Sequence, residues 1–179
     1  MKATGIVRRI DDLGRVVIPK EIRRTMRIRE GDPLEIYTEK DGEVIFKKYS
    51  PMGEWSESAA QLCETMNKTI ECFVAVSDRD TYISVAGVSK REIADKHISG
   101  ELEQMMEGRK LYVRKSGEHG LPMVDGSDKY VVEVAAPILT EGDVLGCVVL
   151  FSDGGKQVGD VEYKLAQTVA AFLGKQMES

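Results

Sequence analysis

Along this chain the spacing of apolar residues changes character near residue 50. Before that point apolar positions come in short β-branched runs divided by turn residues. Residues 5–10 and 15–18 each read as a short strand, and Asp11-Asp12-Leu13-Gly14 between them has turn chemistry. Pro19 stands where a helix begins, since the first helical N–H has no partner inside the helix. A short helix is expected over 20–28, with Ile22, Thr25 and Met26 inward, and Gly31-Asp32-Pro33 stops it. Residues 34–38 alternate as a half-buried strand, Asp41-Gly42 supplies a turn expected to be type I′, and residues 44–47 return.

Beyond the break at Ser50-Pro51-Met52-Gly53 the periods lengthen. Trp55, Ala59, Leu62, Met66 and Ile70 mark one face of a helix starting near Glu54. Strands are expected over 72–76, 81–85 and 111–113, with a polar helical region over 90–107 and a long loop over 116–129. Residues 130–139 and 144–151 predict a long hairpin across Thr140-Glu141-Gly142-Asp143. A last helix from about Asp160 carries Val161, Leu165, Val169, Phe172 and Leu173 on one face. Helices flanking antiparallel strands define an α+β chain.

Four short strands and two helical turns cannot close a core, because so small a unit buries too little surface and leaves sheet edges unpaired. Pairing with a second copy is the economical solution, so a homodimer is expected of the first unit. Charge sharpens that picture. The chain carries −5 in all, yet residues 1–31 hold nine Lys or Arg against four Asp or Glu. Seven of those nine are arginines, whose forked donors suit phosphates and guanine edges. Two-fold pairing would double that basic set on one surface. A basic head on an acidic body suggests two domains, with any polyanion meeting the head; a solvated charged face is the other reading of the same residues, and double-stranded DNA is the partner that the resemblance given below implies.

Other chemistry has little to build on. Cys63, Cys72 and Cys147 are widely spaced, no C-x-x-C pair exists, and the only histidines are His97 and His119. No metal, no cofactor and no catalytic residue is expected. No apolar run approaches the roughly 20 residues that span a bilayer, so no membrane partner and a cytoplasmic location are expected. Asp153-Gly154-Gly155-Lys156 lacks the spacing of a phosphate-binding loop and reads as a turn.

The run Gly14-Arg15-Val16-Val17-Ile18-Pro19, continued by Ile22-Arg23-Arg24 and Gly31-Asp32, closely resembles the DNA-binding half of AbrB-type transition-state regulators over nearly all of residues 3–49. That resemblance implies an N-terminal swapped-hairpin β-barrel, in which two chains interleave their strands. It also implies that Arg8, Arg15, Arg23 and Arg24 contact DNA. Lys2 and Arg9 are added as phosphate contacts on charge alone. Ala136-Pro137-Ile138-Leu139, leading through the turn to Val144-Leu145-Gly146-Cys147-Val148-Val149-Leu150, is similar to the GAF domain, a sensor fold. The Asn-Lys-Phe signature of cyclic-nucleotide GAF domains is not visible.

The expected organisation is a DNA-binding domain over 1–52 and a GAF-like sensing and oligomerisation domain over 53–179. A small-molecule ligand of unspecified identity would lie between the sheet and residues 98–128. If the two domains dimerise with different neighbours, the assembly is a homotetramer. The resemblance implies a transcription regulator, activating and repressing, of genes switched in sporulation. The alternative is an antitoxin on the same swapped-hairpin fold that represses its own operon. The ordered pattern after residue 53 speaks against that reading, because antitoxins follow their DNA-binding part with a disordered tail. A GAF-fold enzyme such as a sulfoxide reductase would need reactive cysteines, which these spacings do not offer.

Overall fold

A computed structural model describes residues 4–155 and 158–178, and the chain divides into two compact units between Tyr49 and Ser50. The two predicted strands over 5–10 and 15–18 are corrected: neither forms a ladder within the chain. Among the described residues their backbone-to-backbone hydrogen bonding is confined to the turn that joins them, where the Asp11 N–H donates to Arg15 O at 3.1 Å and the Gly14 N–H to Asp11 O at 3.0 Å. Gly14, at φ +75°, takes the left-handed position that this turn requires.

Helix α1 (Lys20–Thr25) is shorter than expected because Arg27 adopts φ 51° and turns the backbone out of the helix. Lys48 holds that departure, donating from Nζ to Arg27 O at 2.8 Å and lying 3.4 Å from the Asp32 carboxylate. Strands β1 (Leu34–Thr38) and β2 (Val44–Lys48) pair antiparallel, with Ile36 opposite Phe46. Their turn is not type I′. The Gly42 N–H donates to Glu39 O and Glu39 N–H to Glu43 O, with Gly42 alone at φ +82°. That is a three-residue loop with glycine in the left-handed position, a geometry Asp-Gly serves equally well.

Burial separates the two units. Among the described residues of the first, only Pro19 is buried. Twelve of the sixteen large apolar side chains exposed in the described chain lie here, led by Val7 (86%), Leu13 (71%), Val17 (71%) and Ile10 (68%). A unit with that distribution has no closed core of its own.

The second unit has one. Pro51 occupies the first position of a short helix α2 (Pro51–Glu54), so it opens a helix rather than merely breaking one. Helix α3 (Ser56–Ile70) buries Ala59, Cys63, Met66 and Ile70, while Trp55 and Leu62 of the predicted stripe are half-buried at its edge. Next come β3 (Phe73–Asp78), β4 (Tyr82–Ala86), the short helices α4 (Lys90–Ile93) and α5 (Gly100–Glu107), and β5 (Tyr112–Val113). Then β6 (Leu121–Val124), β7 (Ser127–Thr140), β8 (Asp143–Ser152) and α6 (Asp160–Gln176) complete the chain. All pairings are antiparallel, in the order β4-β3-β8-β7-β5, with β6 also on β7.

The two-residue period of the strands divides the interior into two cores. Val74, Val76, Val134, Ala136, Ile138, Val148 and Leu150 face α3 and α6, while Ala75, Val132, Ala135, Cys147, Val149 and Phe151 face α4, α5 and β6. Helix α6 buries Ala166, Ala170, Leu173 and Gly174; of the expected face Leu173 is buried and Leu165 and Val169 are half-buried, whereas Val161 is 73% exposed and Phe172 52%. The reason is close approach. A Cβ at Gly174 would sit 2.1 Å from the Leu139 carbonyl oxygen, so small residues let the helix lie down on β7.

Two further expectations change. The helical region over 90–107 is two helices, because Asp95 takes φ 62° and residues 95–98 pair backward: Asp95 N–H with Tyr82 O, Tyr82 N–H with Lys96 O, and Thr81 bridged to His97. The loop over 116–129 contains β6 and the start of β7, with Pro122 tolerated because β6 is an edge strand. The register of β7 on β8 slips between Val132 and Val134, a bulge that turns Glu133 inward. Its carboxylate is buried at 2% exposure, accepting from Arg114 Nη1 at 2.8 Å and from the Ser152 hydroxyl at 2.5 Å.

Candidate nucleic-acid interface

The sequence-predicted contacts occupy three local settings in the first unit. Arg8 and Arg9 lie exposed on the segment that precedes the 11–15 turn. Arg15 follows that turn with its side chain 70% exposed. Arg23 and Arg24 are consecutive on α1, Arg24 exposed and Arg23 half-buried, with Arg23 Nε shut off from solvent and meeting no acceptor among the described residues. Lys2 lies outside the described residues.

The turn is the most ordered of these settings. Asp11 is its organiser: Oδ1 accepts the Leu13 N–H at 3.0 Å and the Arg15 N–H at 2.8 Å, while Oδ2 accepts Arg15 Nε at 2.7 Å. The hydrogen bonds from Arg15, backbone first and then side chain, hold the Asp11 carboxyl below its ordinary value. Sequence reading took Asp11 for turn chemistry alone. The available signal was an aspartate four residues before an arginine across a glycine turn, a spacing that brings the two side chains together.

Arg27 and Arg29, basic residues of the same stretch, serve the local frame with their backbone: Arg27 through the carbonyl that Lys48 meets, Arg29 through an N–H given to Asp32 at 2.8 Å. The exposed guanidinium groups of the unit thus stand on the segment before the turn, at the turn and on α1. Such groups can bond phosphate oxygens or guanine edges in pairs.

In the second unit, the space between the sheet and residues 98–128 is filled rather than hollow. Tyr82, Ile98, Leu102, Met106, Met123, Val132 and Phe151 pack there at 2% exposure or less, and the Tyr82 hydroxyl donates to Met123 O at 2.8 Å. Burial raises the Tyr82 phenol well above its ordinary pKa. What opens to solvent is a cleft of about 280 Å³ at the rim, lined by Glu92, Ile93, Lys96, Met123, Val124, Ser127, Lys129 and Tyr130. Lys129 pairs with Glu92, and the Tyr130 hydroxyl donates to the same carboxylate oxygen at 2.8 Å. That volume falls at the lower edge of the range that holds small molecules, roughly 300–1,000 Å³.

The three thiols are buried. Desolvation pushes Cys63 up to about 11 and Cys147 higher still, which suppresses thiolate chemistry at neutral pH. Among the described residues, no three His, Cys, Asp or Glu side chains gather as a metal would require, and no helix is long and apolar enough to cross a membrane.

An arginine-bearing β-hairpin unit joined to an α+β domain with helices on both faces of an antiparallel sheet defines a class: a DNA-binding transcription regulator with a GAF-like second domain. Residues 54–178 match the family model of the stage V sporulation protein T C-terminal, transcription factor, and residues 7–53 match that of the antidote-toxin recognition MazE bacterial antitoxin. Stage V sporulation protein T of Bacillus subtilis (strain 168) is 50% identical over 179 residues, which is 99% of each chain. The chain belongs to the stage V sporulation protein T family. Its first unit is also 63% identical over 51 residues to the transition state regulatory protein AbrB of the same organism, covering 28% of this chain and 52% of that one. The AbrB-type resemblance of the head is thereby borne out. Among solved structures, the GAF domain from an Acinetobacter phosphoenolpyruvate-protein phosphotransferase superposes with a TM-score of 0.58 at 10% identity, covering 73% of this chain and 84% of that one. This likeness bears out the GAF-like fold and carries nothing about a ligand.

Proposed function

We propose that two copies of the first unit interleave and present Arg8, Arg15, Arg23 and Arg24 twice over on one face, which binds promoter DNA. The observation that carries this reading is the pairing of exposed apolar surface with exposed arginine in one small unit. Val7, Ile10, Leu13, Val17 and Ile36 need a cover that a polyanion cannot supply, and a second copy of the same unit supplies it. Arg9 and Lys2 add phosphate contacts. Phosphate bonds would fix the register and some arginine forks would read bases, with DNA deformability contributing the rest. Bound at promoters, the regulator activates some genes and represses others.

Residues 1–52 and 53–179 divide this work, the second part sensing and oligomerising. Exposed Val161 and Phe172 on α6, beside half-buried Leu165 and Val169, support a second association through helices and hence a homotetramer. A ligand of this domain would occupy the rim cleft, where two lysines and Tyr130 stand over Ile93, Met123 and Val124. The buried thiols support a regulator without enzymatic activity in the cytoplasm. The partial match to an antitoxin family supports the shared head architecture, and the ordered second unit supports a regulator over an antitoxin.

Titration of the full chain onto promoter duplex at rising salt tests the interface. The logarithm of the binding constant should fall linearly with that of salt concentration, losing on the order of a thousandfold between about 50 and 200 mM if six or more phosphates are neutralised. Affinity that ignores salt rejects it.

A further inference from the structure

We propose that Asp11 is a positioning residue for DNA recognition, acting through Arg15; the proposal rests on the reading above that Arg15 contacts DNA. A carboxylate on a surface that meets phosphates is unfavourable by itself, since it repels the ligand. Here its position answers that objection. Its two oxygens divide their duties: Oδ1 holds the backbone N–H groups of Leu13 and Arg15, and Oδ2 holds Arg15 Nε at 2.7 Å.

An arginine has five N–H donors, and Asp11 engages the one on Nε. The paired donors on Nη1 and Nη2 form the fork that matches a phosphate or the O6 and N7 edge of guanine. With the Arg15 side chain 70% exposed and Asp11 at 37%, the clamp sits at the root of the guanidinium and leaves its outer edge accessible. Backbone and side chain are held by one group, so rotation about the side-chain bonds is restricted before DNA arrives. Ordering that would otherwise oppose binding is already done.

The sign of one substitution separates this from simple electrostatics. In Asp11→Asn the amide oxygen still accepts from Leu13 and Arg15, so the turn persists, but the charge is gone and an N–H₂ can face Arg15 Nε. Loss of a negative charge alone predicts tighter DNA binding; loss of the clamp predicts weaker. The test is a double-mutant cycle on the full chain (wild type, D11N, R15A, D11N/R15A), with D12N as a charge-matched control. Dissociation constants are read by fluorescence anisotropy on a duplex selected from a random pool by the wild-type chain. D11N should weaken binding about fivefold, the double variant should bind no more weakly than R15A, and D12N should not weaken binding.

Equal weakening by D11N in both backgrounds would mark a general role in the turn and overturn the proposal. So would unchanged or tighter binding by D11N where R15A weakens it, with the Arg15 contact left standing. If R15A binds normally, the assignment of Arg15 itself falls, and the proposal with it. Asp11→Ser, whose hydroxyl can also accept from the backbone, serves as the second variant, with thermal midpoints measured for each. Unfolding of both D11N and D11S would show that the carboxylate holds the fold and not the guanidinium, again overturning the proposal.

Discussion

Replacing Arg23 and Arg24 together with alanine is expected to weaken promoter binding by about a hundredfold or more, each forked arginine contact contributing roughly 1–3 kcal/mol. Both residues lie on α1, and neither its start at Pro19 nor its end at Met26 depends on their side chains. Alanine is also the strongest helix former, so α1 should survive the change. In the paired assembly the double substitution deletes four guanidinium groups, which is why its effect should exceed that of any single change on the 11–15 turn. Anisotropy titration gives the affinity, and light scattering checks that the assembly mass is unchanged. A variant that binds duplex like the parent with its mass intact would place the interface elsewhere.

The largest stability effect is expected in the second unit, at Gly146. A Cβ there would lie 2.0 Å from the Ser77 carbonyl oxygen and 3.1 Å from Asp78 Cα. Both are backbone atoms of β3, held in register against β8 with Asp78 opposite Gly146 and Ser77 opposite Cys147. Neither can swing aside as a flexible side chain would, so the sheet must distort. Gly146→Ala should therefore cost about 2–3 kcal/mol, in the range of overpacked cores. Urea unfolding reads it as a lowered midpoint at nearly constant slope. Gly100→Ala is the control: a Cβ there meets nothing within 4 Å, and the unfolding midpoint should hardly move. Equal midpoints for Gly146→Ala and the parent would mean that β3 and β8 are not packed as described.

Elements whose signal is local were legible in the sequence. The β7–β8 hairpin, α3 and α6 followed from apolar period and turn chemistry, and the β1–β2 hairpin from its Asp-Gly turn. What escaped was set by distant groups. The division of residues 90–107 depends on backbone bonds to Tyr82, which no local pattern around Asp95 encodes. Residues 116–129 read as a loop because they are rich in glycine and charge, yet they hold an edge strand that accepts Pro122 while its partner, β7, offers the ladder. Glu133 lies between two valines of β7, where a regular two-residue period would set it on the face opposite theirs. The bulge turned it inward to Arg114 and Ser152, each 19 residues away, a pairing no local pattern encodes.

Of the proposed interface, Arg8, Arg15, Arg23 and Arg24 come from the AbrB-type resemblance of the head, whereas the clamp from Asp11 on Arg15 is a matter of geometry that no motif marks. The strands expected over 5–10 and 15–18 illustrate the opposite limit. Their composition is that of strands, with Ile6, Val7, Ile10, Val16 and Val17, but a single chain gives them no neighbour to pair with, and they stay exposed. Strand propensity expresses itself only where a ladder is available.

That point bears on the central claim, that the DNA-binding surface is completed by two interleaved heads. Sedimentation equilibrium on a fragment of residues 1–52, at several concentrations, tests it most directly. The account predicts the mass of a dimer with strand signal by circular dichroism. A folded monomer of that fragment would contradict it.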